Sequence, residues 1–507
     1  MALKIIMLVA FFAVMIGVGF YCRKEAQNVD GFVLGGRKVG PWLTAFAYGT
    51  SYFSAVVFVG YAGQFGWKYG IASTWAGIGN AVIGSLLAWI ILGKRTRIMS
   101  HTLNSSTMPD FFGKRFDAKS LKIGASIITF VFLIPYTASL YNGLSRLFGM
   151  AFNIDYTICV IIMAVLTGVY VIAGGYMATA INDFIQGIVM LGGIVAVIIA
   201  VINGKGGFAS AFAQMTQVSD PSVGAEQGAF ASIFGPDPIG LLGVVILTSL
   251  GTWGLPQMVQ KFYAIKDESA IKKGTIISTI FALVVAGGCY FLGGFGRLFA
   301  DQIDVKAGGY DSIIPTMLSG LPDILIGIVV ILVLSASMST LSSLVLTSSS
   351  TITIDLVNEA KKKKMSDKSQ VLLMRVLIVV FIALSVIIAI VQYKSNVTFI
   401  AQLMGISWGA LAGAFLAPFL YSLFWKGTTK AACWVNFVFS VAFMLIDLFG
   451  NLTGAQILPV LLRSPINAGA FCMLAGFAIV PIVSAFTKKP SVGITEFAFS
   501  DIAKKNK

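Results

Sequence analysis

Hydrophobic positions along this chain run in long unbroken stretches rather than alternating with polar ones. Thirteen such stretches stand out, at about 3–21, 41–65, 70–93, 123–150, 155–173, 177–202, 237–260, 274–297, 322–346, 371–393, 398–423, 431–449 and 467–486. A bilayer core about 30 Å thick takes roughly 20 apolar residues per helix, so each stretch predicts a membrane-spanning helix. Continuous runs argue against a β-barrel, whose strands alternate apolar and polar faces. The first stretch ends in Tyr21-Cys22-Arg23-Lys24 rather than a small-residue cleavage site, so it reads as a helix and not a signal peptide. The predicted fold is an all-α polytopic membrane protein. A single transmembrane domain fills 1–490, followed by a cytoplasmic tail at 487–507.

Composition sharpens this picture. Of 507 residues, 57% are hydrophobic and 11% charged, against roughly 25% charged in a typical soluble domain. So few charges cannot cover a water-soluble globule, and intrinsic disorder needs the opposite composition. The formal charge of +15 would suggest nucleic acid on a soluble chain. On a membrane chain it points to cytoplasmic loops. If the thirteen spans alternate, all but eight of the 36 basic residues fall on one side. The exceptions are Lys4, Lys68, Arg146, Lys205, Arg297, Lys306, Lys394 and Arg463. The positive-inside rule then places the N-terminus outside and the C-terminus inside the plasma (cytoplasmic) membrane. The run Lys361–Lys364 reads as a topology anchor, with lipid binding as its rival. The outer loops 203–236 and 298–321 are expected to carry short helices over an outer vestibule. The chain's work must therefore be done inside its own helices, with a small solute, an ion and the bilayer as partners and no nucleic acid.

Candidate chemistry is sparse. The one histidine, His101, lies in a charged inner loop, and five scattered cysteines show neither metal-ligand nor disulfide spacing. An enzyme is the weak reading, and no transition metal is expected. Helix interruption is the stronger signal. The second span reads Ala47-Tyr48-Gly49-Thr50-Ser51-Tyr52-Phe53-Ser54-Ala55, and the seventh Thr248-Ser249-Leu250-Gly251-Thr252-Trp253-Gly254-Leu255-Pro256-Gln257. Backbone freed inside a bilayer must face protein, water or a ligand, and matched broken spans in two halves point to a transporter site. The two lie five spans apart, an odd number, so a repeated five-helix unit arrives inverted. In the ninth span, Ala336, Ser339 and Thr340 share one helix face. Their oxygens can serve an alkali cation, completed by carbonyls freed in the second span, or bond back within their own helix. Asp183, in the sixth span, is an intramembrane carboxylate and hence a functional candidate, with a structural or water-facing role as the alternative. Asp447, at an outer helix end, is expected to be solvated.

These segments resemble the sodium:solute symporter family over about 1–490. The resemblance rests on Gly174-Gly175 to Gln186, on Ala336-Ser337-Met338-Ser339-Thr340-Leu341-Ser342 with Asp355 closing that helix, and on Asp30-Gly31-Phe32-Val33-Leu34-Gly35-Gly36-Arg37. It implies a leucine-transporter-type five-plus-five inverted repeat. The first repeat would be 41–202 and the second 237–423, with an extra N-terminal helix at 3–21 and two C-terminal helices within 431–486. It also implies a sodium site built from the carbonyls of Thr50, Phe53 and Ala336 and the hydroxyls of Ser339 and Thr340. Asp183 would lie on the inner sodium exit path. Candidate substrate contacts are Ser51, Tyr52, Ser54, Tyr136, Thr252, Trp253 and Gln257.

Substrate class follows from departures among the family's branches. The proline branch has Asp at the Tyr52 position and bulky aromatics at those of Thr248 and Thr252. The sugar branch has Asn at the Tyr52 position and a Glu in the third span, which here holds no acid. The pantothenate branch is similar at Ser51-Tyr52-Phe53-Ser54-Ala55, Asn182-Asp183 and Gly254-Leu255-Pro256. The expectation is a sodium-coupled symporter importing a carboxylate-bearing metabolite or amino acid, pantothenate- or proline-like, by alternating access. Its rivals are a proton-coupled or uncoupled carrier on the same fold, a sodium/sugar or sialic acid symporter, and a channel-like receptor.

Overall fold

The computed structural model describes residues 2–152, 154–361, 363–395 and 400–505. Residues 398–399 of the eleventh expected span, Lys362 of the lysine run and Lys507 of the tail lie outside the described residues. The described chain is built from helices, with two isolated β-bridges, Val39 to Ile265 and Asp220 to Ala225. The principal helices are α1 (Ala2–Tyr21), α2 (Pro41–Tyr52), α3 (Ala62–Tyr69), α4 (Met108–Phe116), α5 (Lys119–Phe152), α6 (Tyr156–Asn203), α7 (Pro238–Gly254) and α8 (Pro256–Tyr263). They continue with α9 (Glu268–Gly293), α10 (Asp323–Thr351), α11 (Asp367–Ser395), α12 (Ile400–Phe424), α13 (Lys430–Thr453), α14 (Pro465–Phe486) and α15 (Val492–Lys505).

By length and apolarity, ten helices among the described residues can cross a membrane, or eleven if the bent pair α7–α8 is one span. The sequence pattern predicts thirteen, and two of the long helical stretches are interrupted at glycines. Gly70 (φ 61°, ψ −141°) lies inside the 47-residue stretch Val56–Thr102, and Gly175 (φ 55°, ψ −147°) lies inside the 48-residue α6. Positive φ is open to glycine and strained for other residues. A Cβ on Gly175 would also come within 2.9 Å of Phe32.

Burial sorts the helices into centre and rim. In α12 and the α10 segment, 94% and 83% of the most apolar window is buried, against 28% at α1 and 39% at α13 and α14. A helix apolar all round belongs inside a bundle. At one end of the bundle, Arg297 bridges Asp220 at 2.7 Å and donates from Nε to the Trp67 carbonyl at 2.8 Å, with its guanidinium over the Trp67 and Phe230 rings. The short helix Phe208–Thr216 packs beside this cluster, as the outer-loop reading anticipated.

Three charges are not where the sequence pattern put them. Asp447, expected in solvent, is 2% exposed and accepts from Asn451 Nδ2 at 3.2 Å. Arg115, assigned to an inner loop, is fully buried between the rings of Phe116 and Phe499, each 5.1 Å away. Phe499 belongs to α15, so the tail folds back and covers this guanidinium. The third is Lys261, which lies in α8 at 2% exposure.

Asp311 sits in a short turn before α10, buried, with Oδ2 accepting the Ile400 N–H at 3.3 Å where α12 begins. Burial pushes its carboxyl up to about 6, against the opposing pull of Arg146 and that N–H. A folded-state value above the unfolded one costs stability as pH rises from about 4 through about 6 and then levels off. Asp311→Asn is therefore expected to melt higher than wild type at pH 7.5, by the equivalent of about 3 kcal/mol at most. The gap should close toward pH 4. A gap that is flat across this range in a thermal melt would rule this out.

Candidate functional site

The site forms where two helices stop. Pro41 starts α2 in its first turn, where a missing N–H costs nothing. The helix ends at Tyr52, and Phe53 is extended (φ −85°, ψ 118°). In the second half Asp237 caps α7 through the Gly240 N–H at 2.9 Å. Leu255 is extended (φ −80°, ψ 123°), and Pro256 opens α8 at a 45° bend. Both interruptions fall on the segments that the Gly, Thr and Pro pattern singled out, and each leaves carbonyls and N–H groups without helical partners.

Against the first break lies α10. Ser339 Oγ is 3.1 Å from the carbonyl oxygens of both Thr50 and Ala336. Thr340 Oγ1 is 3.2 Å from the Thr50 carbonyl and 3.1 Å from those of Phe53 and Ala336. The Thr50 hydroxyl turns away and donates to the Phe46 carbonyl, so Thr50 offers its carbonyl alone. All five residues are at most 1% exposed.

The number of protons available bears on whether these oxygens form a cation cage or bond back within the helix. Five oxygen–oxygen contacts of 3.1–3.2 Å join these groups, but two hydroxyls carry two protons. At least three contacts therefore set lone pair against lone pair. If both hydroxyls bond back to Ala336 within α10, every contact to Thr50 and Phe53 lacks a proton. Buried acceptors without donors are costly, and a cation at their centre relieves the cost. Metal–oxygen distances of about 2.3–2.6 Å, those of calcium, put neighbouring ligands about 3.3–3.7 Å apart. The five oxygens fit a hard cation with a few tenths of an ångström of expansion.

Asp183, on α6, is fully buried, and its Oδ2 lies 3.8 Å from Lys261 Nζ. Lys261 also reaches Ser343 Oγ at 3.0 Å, and Ser343 Oγ is 2.9 Å from Ser51 Oγ. The expected exit-path carboxylate is thus linked through Lys261 and Ser343 to Ser51, the residue following Thr50. At the C-terminal end of α10, Lys122 gathers three carboxylates: Asp110 at 3.0 Å, Glu359 at 3.4 Å and Asp355 at 3.6 Å. Thr107 donates to Asp355 at 2.6 Å. This cluster ties α4 and α5 to the end of the α10 rod.

The seven candidate substrate contacts separate by what their polar atoms already do. Thr252 Oγ1 is 3.0 Å from the Gly84 carbonyl, and Trp253 Nε1 donates to the Ile83 carbonyl at 2.9 Å. Both side chains tie α7 to the third span. Ser54 Oγ accepts the Val56 N–H at 3.2 Å, and Ser51 joins the serine pair just described. The Tyr52 side chain lies outside the described ones. Gln257 and Tyr136 remain: both amide atoms of Gln257 and the Tyr136 hydroxyl are buried with no partner. So is Trp408 Nε1 on α12, whose indole meets the Tyr136 ring edge-on at 5.9 Å. The sequence reading places the solute beside the fourth and eleventh spans, but no motif in the eleventh singles out Trp408. Its place opposite Gly251, where a Cβ would meet the indole at 2.6 Å, is a tertiary fact.

The model of the sodium:solute symporter family matches residues 32–437. The osmoregulated proline transporter OpuE of Bacillus subtilis (strain 168) is 29% identical over 495 residues, covering 96% of this chain and 95% of that protein. A sodium/proline symporter of Staphylococcus aureus (strain NCTC 8325 / PS 47) is 29% identical over 499 residues, covering 96% and 93%. A solved Na+-coupled sialic acid symporter superposes with a TM-score of 0.74 at 18% identity, over 96% of this chain and 98% of that one. At such identity the likeness concerns the fold.

Proposed function

The chain belongs to the sodium:solute symporter family, and on that premise we propose that it imports a proline-like amino acid or small carboxylate by alternating access. Sodium-coupled symport of a small solute is the activity, and sodium is the coupling ion. The observation that carries the assignment of the ion's place is the cage of Thr50, Phe53, Ala336, Ser339 and Thr340, five oxygens sharing two protons. Sodium bound there joins the broken second span to α10 and favours the state open to the outside. A ligand shifts such an equilibrium only through its different affinities for the two states. The membrane potential contributes about 2.3 kcal/mol per charge per 100 mV, so one sodium sustains substantial accumulation.

The solute site is assigned to Gln257, Tyr136 and Trp408, the groups with unused polar atoms, with backbone freed at Leu255 and Phe53. Half-helix N-termini can hold a carboxylate without an arginine. The likeness to a proline transporter and a sodium/proline symporter favours proline among carboxylates. The topology assigned is thirteen spans with the N-terminus outside, in a five-plus-five inverted repeat. Splitting the helices at Gly70 and Gly175 and joining each broken pair supports that count.

The test is thermal stabilisation of purified protein by L-proline, pantothenate, other amino acids, sialic acid and glucose, each in sodium and in choline chloride. Proline or a close relative is expected to raise the melting temperature in sodium only. Equal stabilisation in choline would sink the coupling assignment, and a sugar-only response would sink the solute assignment.

A further inference from the structure

Lys261 is a cation that the transport cycle described so far does not use. It lies between one and two helix turns past the Leu255 break, 2% exposed, with Nζ 3.0 Å from Ser343 Oγ, 3.8 Å from Asp183 Oδ2 and 5.1 Å from the centre of the Tyr176 ring. Neither carboxylate oxygen of Asp183 accepts a hydrogen bond, although the residue is fully buried. Ser343 in turn touches Ser51 at 2.9 Å.

Taken without the lysine, this is a set of hard oxygen ligands: one carboxylate and two hydroxyls in a buried place. It lies close to the first cage. Ser343 follows Ser339 and Thr340 by four and three residues on α10, one turn and about 5–6 Å along the axis. Ser51 directly follows Thr50. Such a set suits an alkali cation by the same chemistry as the first cage. A buried carboxylate demands a compensating charge, and the chain supplies that charge from its own side chain. An ammonium and a sodium ion carry the same charge, and both cannot sit beside one carboxylate in so small a space.

We propose that the Lys261 ammonium is a tethered cation standing in the place of a second coupling ion between Asp183, Ser343 and Ser51. The protein therefore binds one sodium, and removing the lysine charge while keeping Asp183 opens a second sodium site. The inference rests on the sodium site at Thr50–Thr340 and adds a stoichiometry to it.

The experiment counts bound radioactive sodium per protomer on the purified full-length protein, with no solute present. Wild type is expected to bind one, lost in Thr340→Ala. Lys261→Met is expected to bind two, and Lys261→Met with Asp183→Asn one again. Two sodium ions on wild type would overturn the inference and leave the coupling site intact. One sodium on a monodisperse Lys261→Met protein would also overturn it. No sodium on wild type would overturn the coupling site on which it rests. Should Lys261→Met not yield monodisperse protein, Lys261→Gln keeps a polar group against Ser343 and is read the same way.

Discussion

Thr340→Ala is expected to lower sodium affinity about 10- to 100-fold and, at ordinary sodium, to remove sodium-stimulated uptake. The hydroxyl lies within 3.2 Å of three carbonyls, those of Thr50 in α2, Phe53 at the break and Ala336 in α10. Its loss leaves the Phe53 carbonyl without its nearest partner on α10. A polar contact to a charged group is worth about 1.5–3 kcal/mol, and about 1.4 kcal/mol corresponds to a factor of ten. Thr340→Ser keeps the oxygen and should bind sodium within a few-fold of wild type. The comparison separates loss of a ligand from loss of a methyl group. Sodium titrations of protein stability or of uptake read it directly. An alanine variant with unchanged sodium affinity would exclude Thr340 as a ligand.

Gly66→Ala is expected to prevent folding. A Cβ there would stand 1.9 Å from the Gly293 carbonyl oxygen, and one on Gly293 would stand 2.0 Å from that of Ala62. Both obstacles are backbone, so no side chain can move aside. Helices α3 and α9 touch main chain to main chain, the close approach that small residues allow in membranes. Separating them by a methyl group disturbs the half of the broken second span that follows Phe53 and, through it, the oxygens gathered at Thr50. Such overpacking sits in the exceptional range of point substitutions, about 4–5 kcal/mol or more. Gly192→Ala is the control, because nothing lies within 4 Å of its Cβ position. Size-exclusion profiles of fluorescently tagged variants should show aggregate for the first and a monodisperse peak for the second. A monodisperse Gly66→Ala protein would contradict the packing described.

Much of this was legible in the residues because the bilayer restricts the alternatives. Apolar runs gave the helices. The Gly, Thr and Pro content of 47–55 and 248–257 marked both breaks. The spacing of Ala336, Ser339 and Thr340 put three oxygens on one face. What escaped depends on helix rotation and on contacts between distant segments. Lys261 lies one residue past the apolar run ending at 260, so a window of hydrophobicity places it in a loop. The bend at Leu255 instead turns α8 inward toward Asp183. Thr252 and Trp253 looked like solute contacts because they stand at the break, yet their polar atoms face Gly84 and Ile83. Arg115 reads as a loop charge until the tail, 384 residues later at Phe499, covers it.

The α10 rod is rich in hydroxyls from Ser335 to Thr351, and nearly all of them are out of reach of solvent. Some bond back one turn, as Ser342 does to Ser339, Ser349 to Leu346 and Ser350 to Thr347. Those of Ser335, Ser337, Ser348 and Thr351 hold no partner. A hydroxyl rotates freely about its C–O bond and can donate in whichever direction an acceptor stands. Small side chains also leave no deep knobs to lift out of holes. When neighbouring helices shear past this rod, each hydroxyl can exchange one acceptor for the next by spinning, without the rod itself changing shape. The surface that carries the proposed cation site at one point is, along the rest of its length, made of small buried side chains with rotatable hydroxyls, which would suit a sliding contact.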